Sequence, residues 1–104
     1  MTGIDIVHLQ RIHPTDALIQ KILTKEEQQE YALLKTERHR IEYLGGHFAA
    51  KEAIFKATQD PSWLHFCILH EKNGRPYILP HPDWEISIAH DGSYAIAIVI
   101  IHSR

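Results

Sequence analysis

The sequence has little of what marks a secreted, membrane-embedded or nucleic-acid-binding protein. A single cysteine, Cys67, excludes an internal disulfide and any metal site built from several cysteines. The longest apolar run, residues 94–101, is too short to span a bilayer. The formal net charge of −2 gives no reason to expect nucleic acid as a partner. The cysteine usage, with no signal-peptide pattern at the start of the sequence, leads us to expect a reducing, cytoplasmic location.

Length and composition favour one globular domain spanning residues 1–104. With 44% hydrophobic residues the chain can bury a core, although a modest one. Residues 2–7 alternate as a short strand, and helical periodicity follows as far as residues 58–61. Strand patterns then run to the end, with Asn73-Gly74 predicted to form a type I′ hairpin turn. We therefore expect an α+β fold: an N-terminal strand, two or three helices with one long central helix, and a C-terminal antiparallel sheet.

The long helix, predicted to begin near Glu37, carries a carboxylate where an apolar residue belongs. At 100° per residue its bulky apolar side chains fall on one stripe, made of Ile41, Leu44, Phe48 and Phe55. Glu52 falls in the middle of this stripe, and a buried charge without a partner is too costly to leave alone. Its partner is either Lys56, four residues later, or something that binds. Gly45 and Gly46 each cost the helix about 1 kcal/mol relative to alanine, so we expect something to approach the helix backbone there.

A second carboxylate, Asp5, lies inside the first strand, and aspartate is a poor strand former. Alone it is most simply a strand-end or turn residue, but together with Glu52 it becomes a candidate for a shared site. Thr24 and Glu27 match a capping box that starts a helix, which is a structural role. The nine histidines are scattered and show no metal-ligand spacing, so surface and packing roles suit most of them.

Six segments of the chain occur in an order found in one known family. They are Gly3–Val7, Arg11-Ile12, Ile22–Thr24 with Glu27, Tyr43–Ala57, Asn73–Pro76 and Ile86–Asp91. Together they resemble the holo-[acyl-carrier-protein] synthases, the small type of 4′-phosphopantetheinyl transferase. The resemblance covers almost the whole chain, and its most specific parts are Gly-Ile-Asp-Ile-Val and Phe-Ala-Ala-Lys-Glu-Ala.

This resemblance implies a reaction and a site. Members transfer the phosphopantetheine arm of coenzyme A to a serine of an acyl carrier protein and release adenosine 3′,5′-bisphosphate. The resemblance implies that Asp5 and Glu52 hold the Mg²⁺ that this reaction needs, which would bridge the coenzyme A diphosphate. It implies that Lys51 and Lys56 hold phosphate oxygens and stabilise the departing bisphosphate. Glu52 or a bound water would take the serine proton.

The resemblance also implies partners. His90 resembles a histidine that contacts the nucleotide, and Arg11 resembles an arginine that pairs with the acidic carrier protein. Members form trimers with active sites at subunit interfaces, which suits a last strand, residues 94–101, that is apolar on both faces. Neither nucleic acid nor a membrane is expected as a partner.

Three departures from the family pattern qualify these expectations. His47 replaces the usual arginine, so it is expected to be a weakened phosphate contact of coenzyme A. Residues 59–63 replace a glycine-rich stretch that follows the long helix, and Ala89 stands where a hydroxyl residue is common. The departures leave an alternative open: a degenerate member that binds coenzyme A or a carrier protein without transfer. A third hypothesis is a structural oligomer in which Glu52 pairs with Lys56.

Overall fold

The computed structural model of the protein describes residues 1–102 and has an α+β architecture, as predicted. Its helices are α1 (Asp16–Ile22), α2 (Lys25–Ala32) and α3 (Glu37–Thr58). Its strands are β1 (Thr2–His8), β2 (Cys67–His70), β3 (Pro76–Leu79), β4 (Glu85–Asp91) and β5 (Tyr94–Ile100). Short 3₁₀ turns lie at Leu9–Arg11 and Trp63–His65. No helix in the described part of the chain is long and apolar enough to cross a membrane.

Two antiparallel sheets are present. The larger has the order β1-β5-β4, so the two-sided apolar strand β5 is its centre, and the smaller pairs β2 with β3. Along β5, Ala95, Ala97 and Val99 are fully buried, while Tyr94 and Ile96 on the other face are exposed. One face of the larger sheet therefore covers the core, and the other carries apolar side chains into solvent.

Helix α3 packs on the buried face of the larger sheet through small side chains. Those on its sheet-facing side include Ala49, Ala50, Ala53 and Ala57. The strand β1 approaches so closely that a Cβ atom on Gly3 would overlap the carbonyl oxygen of Ala53. Only glycine fits there, and this contact brings the rest of β1 beside the helix.

The predicted helix stripe centred on Glu52 is not the buried side of α3. Of the predicted stripe only Leu44 is fully buried, and Glu52 is half-buried. The other fully buried positions include His47, Lys51 and Ile54. The prediction was wrong because it assumed that the bulky apolar residues mark the side of the helix that packs on the sheet. The alanines carry the contact with the sheet, and bulky residues such as Phe48 pack with a second cluster around α1.

The β2–β3 turn also differs from the predicted type I′ turn. Among the turn residues only Gly74 has a positive φ, of 90°, and its N–H donates to Glu71 O at 2.8 Å. The connection is a β-turn followed by a left-handed glycine, with Asn73 Oδ1 accepting from the Arg75 N–H at 2.9 Å. Asn73 therefore stabilises the turn through its side chain and does not supply a positive φ.

The predicted capping box of α2 is confirmed. Thr24 Oγ1 accepts from the Glu27 N–H at 3.2 Å, and Glu27 Oε1 accepts from the Thr24 N–H at 2.7 Å. The glycine pair of α3 is explained as well. A Cβ atom on Gly45 would overlap Leu9, and one on Gly46 would lie 3.1 Å from His90 Nε2.

Candidate active site

Asp5 and Glu52 line one cavity between β1 and α3, which we call the β1–α3 cleft. The cleft has a volume of about 420 Å³. Its lining residues are Asp5, Ile6, Val7, His8, Arg11, Ile12, Leu18, Phe48 and Glu52. The fold thus brings together two carboxylates that are far apart in the sequence, and it adds the guanidinium of Arg11.

Lys56 lies against the first of these carboxylates. Its ammonium donates to Asp5 Oδ1 at 3.0 Å and to Ile4 O at 3.2 Å. The Lys56 side chain is 52% exposed and that of Asp5 is 17% exposed. The pairing of Lys56 with Glu52, one of the alternatives for this helix, is not formed.

Glu52 itself has no hydrogen-bonded or ion-paired partner within residues 1–102. Carboxylate oxygens are ligands that Mg²⁺ prefers, and Mg²⁺ typically takes one or two of them from a protein. The donor set of Asp5 and Glu52 therefore fits a divalent cation, with Lys56 at its edge.

Glu52 also borders a second cavity, of about 590 Å³, which we call the α3 C-terminal pocket. Its lining residues are Lys21, Glu52, Phe55, Pro61, Ser62, Trp63, Leu64 and His65. The segment that stands where the family has a glycine-rich stretch therefore forms a wall of this pocket. Glu52 therefore lies between two cavities, of which the α3 C-terminal pocket is the more apolar.

Lys51, predicted to hold phosphate, is buried. Its ammonium donates to Glu27 Oε1 at 2.9 Å, to Trp63 O at 2.9 Å and to Phe66 O at 2.6 Å. These bonds use all three donors of the ammonium. Burial lowers the pKa of Lys51, and the Glu27 carboxylate opposes that shift. This geometry contradicts the predicted phosphate contact, and we correct the prediction: Lys51 ties residues 63–66 to α3.

His47, predicted to be a weakened phosphate contact, is buried as well. Its Nδ1 lies 2.9 Å from Tyr43 O and its Nε2 lies 2.9 Å from Ile68 O. Its ring stacks on Tyr43 with centroids 3.9 Å apart. Burial lowers the pKa of His47, and the Glu27 carboxylate opposes the shift. Both ring nitrogens face the interior, so this prediction is also corrected: His47 joins α3 to β2.

Glu27 is the residue whose importance the sequence did not reveal. It is fully buried, and Oε2 accepts from the Ile68 N–H at 2.8 Å while Oε1 accepts from Thr24 and Lys51. The capping box explains only the bond to Thr24. No sequence signal marks the other two, because their donors lie on α3 and β2, which reach Glu27 only in the folded protein.

A neighbouring cluster joins α2 to β2. Glu30 Oε1 lies 2.9 Å from His70 Nδ1 and accepts from the Tyr43 hydroxyl at 2.9 Å. Burial raises the pKa of Glu30, but its hydrogen bonds with His70 and Tyr43 outweigh that effect, and the pKa is lowered overall. Glu30, His47 and His70 together place three possible metal-ligand atoms within 4.8 Å of one another. The spacing of these residues in the sequence did not predict this cluster. Each of the three residues already has hydrogen-bonding partners, so the cluster serves the fold.

His90, predicted to contact the nucleotide, is not in the β1–α3 cleft of its own chain. It is exposed, and its Nε2 lies 2.9 Å from Glu42 O. Its ring faces α3, because a Cβ atom on Gly46 would lie 3.1 Å from its Nε2, and it borders a cavity of about 210 Å³ with Glu42, Gly46 and Ile88. The end of β4 that carries His90 also borders a cavity with Ile6, Tyr94 and Ile96 at the outer face of the larger sheet. Within one chain, His90 therefore faces α3 and does not line the cleft that contains Asp5 and Glu52.

Known proteins resemble this chain in sequence and in fold. A family model described as the 4′-phosphopantetheinyl transferase superfamily matches residues 1–99. A holo-[acyl-carrier-protein] synthase of Halalkalibacterium halodurans is 42% identical, with 96% of this chain and 92% of that protein covered. One from Exiguobacterium sibiricum is 38% identical, with coverage of 98% and 88%.

Solved structures agree. A crystal structure of the Bacillus anthracis holo-(acyl-carrier-protein) synthase in complex with CoA (3′,5′-ADP) has a TM-score of 0.82 at 33% identity, covering 94% of this chain and 91% of that one. The Helicobacter pylori synthase in complex with coenzyme A has a TM-score of 0.81 at 26% identity, covering 98% and 100%.

These matches define a class of protein first: the chain belongs to the 4′-phosphopantetheinyl transferase superfamily. Within that superfamily it is an enzyme of the holo-[acyl-carrier-protein] synthase type, as the resemblance predicted.

Proposed function

We propose that this chain transfers 4′-phosphopantetheine from coenzyme A to a serine hydroxyl of an apo acyl carrier protein, with Mg²⁺, and releases adenosine 3′,5′-bisphosphate. The observation that carries the proposal is the meeting of Asp5, Glu52 and Lys56 at the β1–α3 cleft. The similarity to holo-[acyl-carrier-protein] synthases, some solved with coenzyme A, supports the choice of substrates.

Asp5 and Glu52 would hold the Mg²⁺. When bound, such an ion neutralises diphosphate charge and polarises the phosphorus under attack. Glu52 has no partner within the described residues, so one of its carboxylate oxygens could hold the ion while the other accepts the proton of the serine hydroxyl as that hydroxyl oxygen attacks. The serine O–P bond forms while the P–O bond to the departing bisphosphate breaks, and the proton ends on the carboxylate.

Lys56 would stabilise the leaving group. Its ammonium is bonded to Asp5, which lines the cleft, and half of its side chain is exposed, so it can reach a phosphate oxygen. A positive charge placed where negative charge develops lowers the barrier without further rearrangement. We retain Lys56 as the phosphate-binding lysine and exclude Lys51, whose donors are used inside the protein.

The carrier protein would dock beside the same cleft. Arg11 is exposed and lines it, and Lys21 is exposed at the neighbouring α3 C-terminal pocket. An acidic helix of the carrier would be drawn to these charges, and the attraction should weaken as salt rises. The serine would then enter from the Arg11 side towards Glu52.

We infer that the working form is a homotrimer with sites at subunit interfaces. Ile4, Ile6 and Tyr94 expose 52%, 61% and 49% of their surface on the outer face of the larger sheet. Strand register makes the patch continuous, because Ile4 faces Ile98 and Ile6 faces Ile96 across β1 and β5. The end of β4 adjoins this patch, so association through the patch would bring the end of β4 of one subunit, with its His90, towards the cleft of another.

Intact-mass spectrometry of apo acyl carrier proteins incubated with the chain, coenzyme A and Mg²⁺ tests the transfer. A gain of one phosphopantetheine that requires Mg²⁺ would support it. If coenzyme A binds but no carrier is modified, the degenerate binding-module hypothesis replaces it. We place the reaction in the cytoplasm, since the free Cys67 suits a reducing compartment.

A further inference from the structure

The ammonium of Lys56 stands at the carboxylate that would ligate the metal. Two of its donors are bonded to β1, one to Asp5 Oδ1 and one to Ile4 O. Glu52 lies four residues before Lys56 on α3, within reach of an ordinary helical ion pair. Lys56 nevertheless bonds to Asp5, and Glu52 has no partner within the described residues.

We propose that Lys56 neutralises Asp5 while the cleft lacks a metal and leaves it when coenzyme A arrives, so that Mg²⁺ and coenzyme A bind cooperatively. The inference rests on the proposed function, because it takes Asp5 and Glu52 as the metal ligands. It adds that Lys56 weakens the binding of Mg²⁺ alone, although it assists the binding of coenzyme A.

The Lys56 ammonium and a divalent ion would repel each other at Asp5. A divalent ion bound to Asp5 would lie next to the Lys56 ammonium, and two positive charges on one carboxylate repel each other. Either the ammonium moves away or the metal binds weakly. The ammonium therefore competes with Mg²⁺ for Asp5.

The Lys56 side chain can leave Asp5 easily. Its side chain is 52% exposed and that of Asp5 is 17% exposed, so the pair is open to solvent on the lysine side, where water weakens the attraction. The lysine stem is flexible, so the ammonium can turn to a new partner without movement of α3. A phosphate group of coenzyme A is a stronger partner, because both groups of that hydrogen bond are charged.

The binding of Mg²⁺ and the binding of coenzyme A are therefore coupled. By drawing the ammonium away from Asp5, coenzyme A raises the affinity of the cleft for Mg²⁺, and this gain adds to that of any bond between the metal and a phosphate oxygen. Since coupling between binding sites is reciprocal, Mg²⁺ raises the affinity for coenzyme A by the same factor. Lys56 is thus a positioning residue for the metal as well as a phosphate ligand.

The test compares metal binding with and without coenzyme A. Mn²⁺ is titrated into the full chain and its free concentration is read by electron paramagnetic resonance, for the parent, Lys56→Met, Lys56→Arg and Lys72→Met. The exposed Lys72 on the β2–β3 turn provides a control with the same change of charge. We expect Lys56→Met to bind Mn²⁺ alone about twofold to fivefold more tightly, and the other two variants to resemble the parent.

Coenzyme A should separate the variants further. In the parent it should tighten Mn²⁺ binding by a larger factor than in Lys56→Met. If Lys56→Met binds the metal alone no more tightly than the parent, or if the two coupling factors are equal, the inference is overturned. If the parent binds Mn²⁺ neither alone nor with coenzyme A, the metal assignment within the proposed function fails instead.

Discussion

The ammonium of Lys51 and the carboxylate of Glu27 form an ion pair at 2.9 Å in which both side chains are fully buried. Lys51 lies one residue before Glu52 on α3, and its bond to Trp63 O holds the segment that forms a wall of the α3 C-terminal pocket. A residue predicted from its motif to bind substrate is therefore part of the framework of the site.

Lys51→Met should destabilise the fold. Removing one partner of a buried pair leaves an uncompensated charge, which typically costs about 3–5 kcal/mol. Urea unfolding measures the loss, and Lys72→Met on the exposed turn should change the free energy of unfolding by less than about 0.5 kcal/mol. A phosphate ligand would behave differently: the fold would be unaffected and only the affinity for coenzyme A would fall.

Asp5→Asn and Glu52→Gln should each abolish the Mg²⁺-dependent part of coenzyme A binding. Both changes remove a charged ligand, while Asp5→Asn also breaks an exposed ion pair worth about 1 kcal/mol or less. Isothermal titration with coenzyme A, with and without Mg²⁺, measures the effect, and circular dichroism checks the fold. Parent-like binding by either variant would show that the metal site lies elsewhere.

Stability should fall as the pH drops below about 6.5, the ordinary pKa of the His47 imidazole. Burial lowers that pKa in the folded state, so the unfolded chain binds the proton more tightly. The stabilisation is therefore present above pH 6.5 and is lost as the pH falls towards the folded-state value, by up to about 1.4 kcal/mol per pH unit.

Urea unfolding between pH 5 and pH 8 measures this dependence, with His47→Gln to isolate it. Glutamine can still donate to one of the two carbonyl groups but does not titrate. The slope should be shallower in His47→Gln and unchanged in His13→Gln, whose side chain is exposed. Equal slopes for the parent and His47→Gln would mean that another group controls the acid sensitivity.

Ile6→Glu should prevent the proposed trimer. Ile6 is 61% exposed on the outer face, so a carboxylate there costs little in the isolated chain but would be buried in an assembly. Sedimentation equilibrium of the parent and the variant at micromolar concentration measures the change. A parent chain that is already monomeric would remove the shared-site hypothesis.

The sequence predicted well the location of residues that do not fit the pattern around them. Asp5 lies among apolar residues of β1 and Glu52 lies among the bulky apolar residues of α3, and both line one cleft. Such anomalies are visible because strand and helix periods are local. The strand and helix order, the capping box and the close approach at the glycine pair are local signals of the same kind.

What it predicted poorly depends on residues that only folding brings together. Lys51 and His47 lie beside Glu52 and Gly46 in the sequence, so motif position suggested a shared role in binding phosphate. Their burial is set by Glu27 of α2 and by the carbonyl of Ile68 on β2. The residue pattern along α3 does not indicate that α2 and β2 pack against it.

The contact of Gly3 with Ala53 has one more consequence. Backbone atoms of β1 and α3 meet there without an intervening side chain. The spacing of the two main chains that carry Asp5 and Glu52 is thereby set by backbone atoms, which have no rotamers, so this spacing should tolerate sequence drift in the surrounding core. The same contact leaves no room for a side chain on Gly3. A single methyl group at position 3 would push β1 away from α3, and Asp5 would move with the strand.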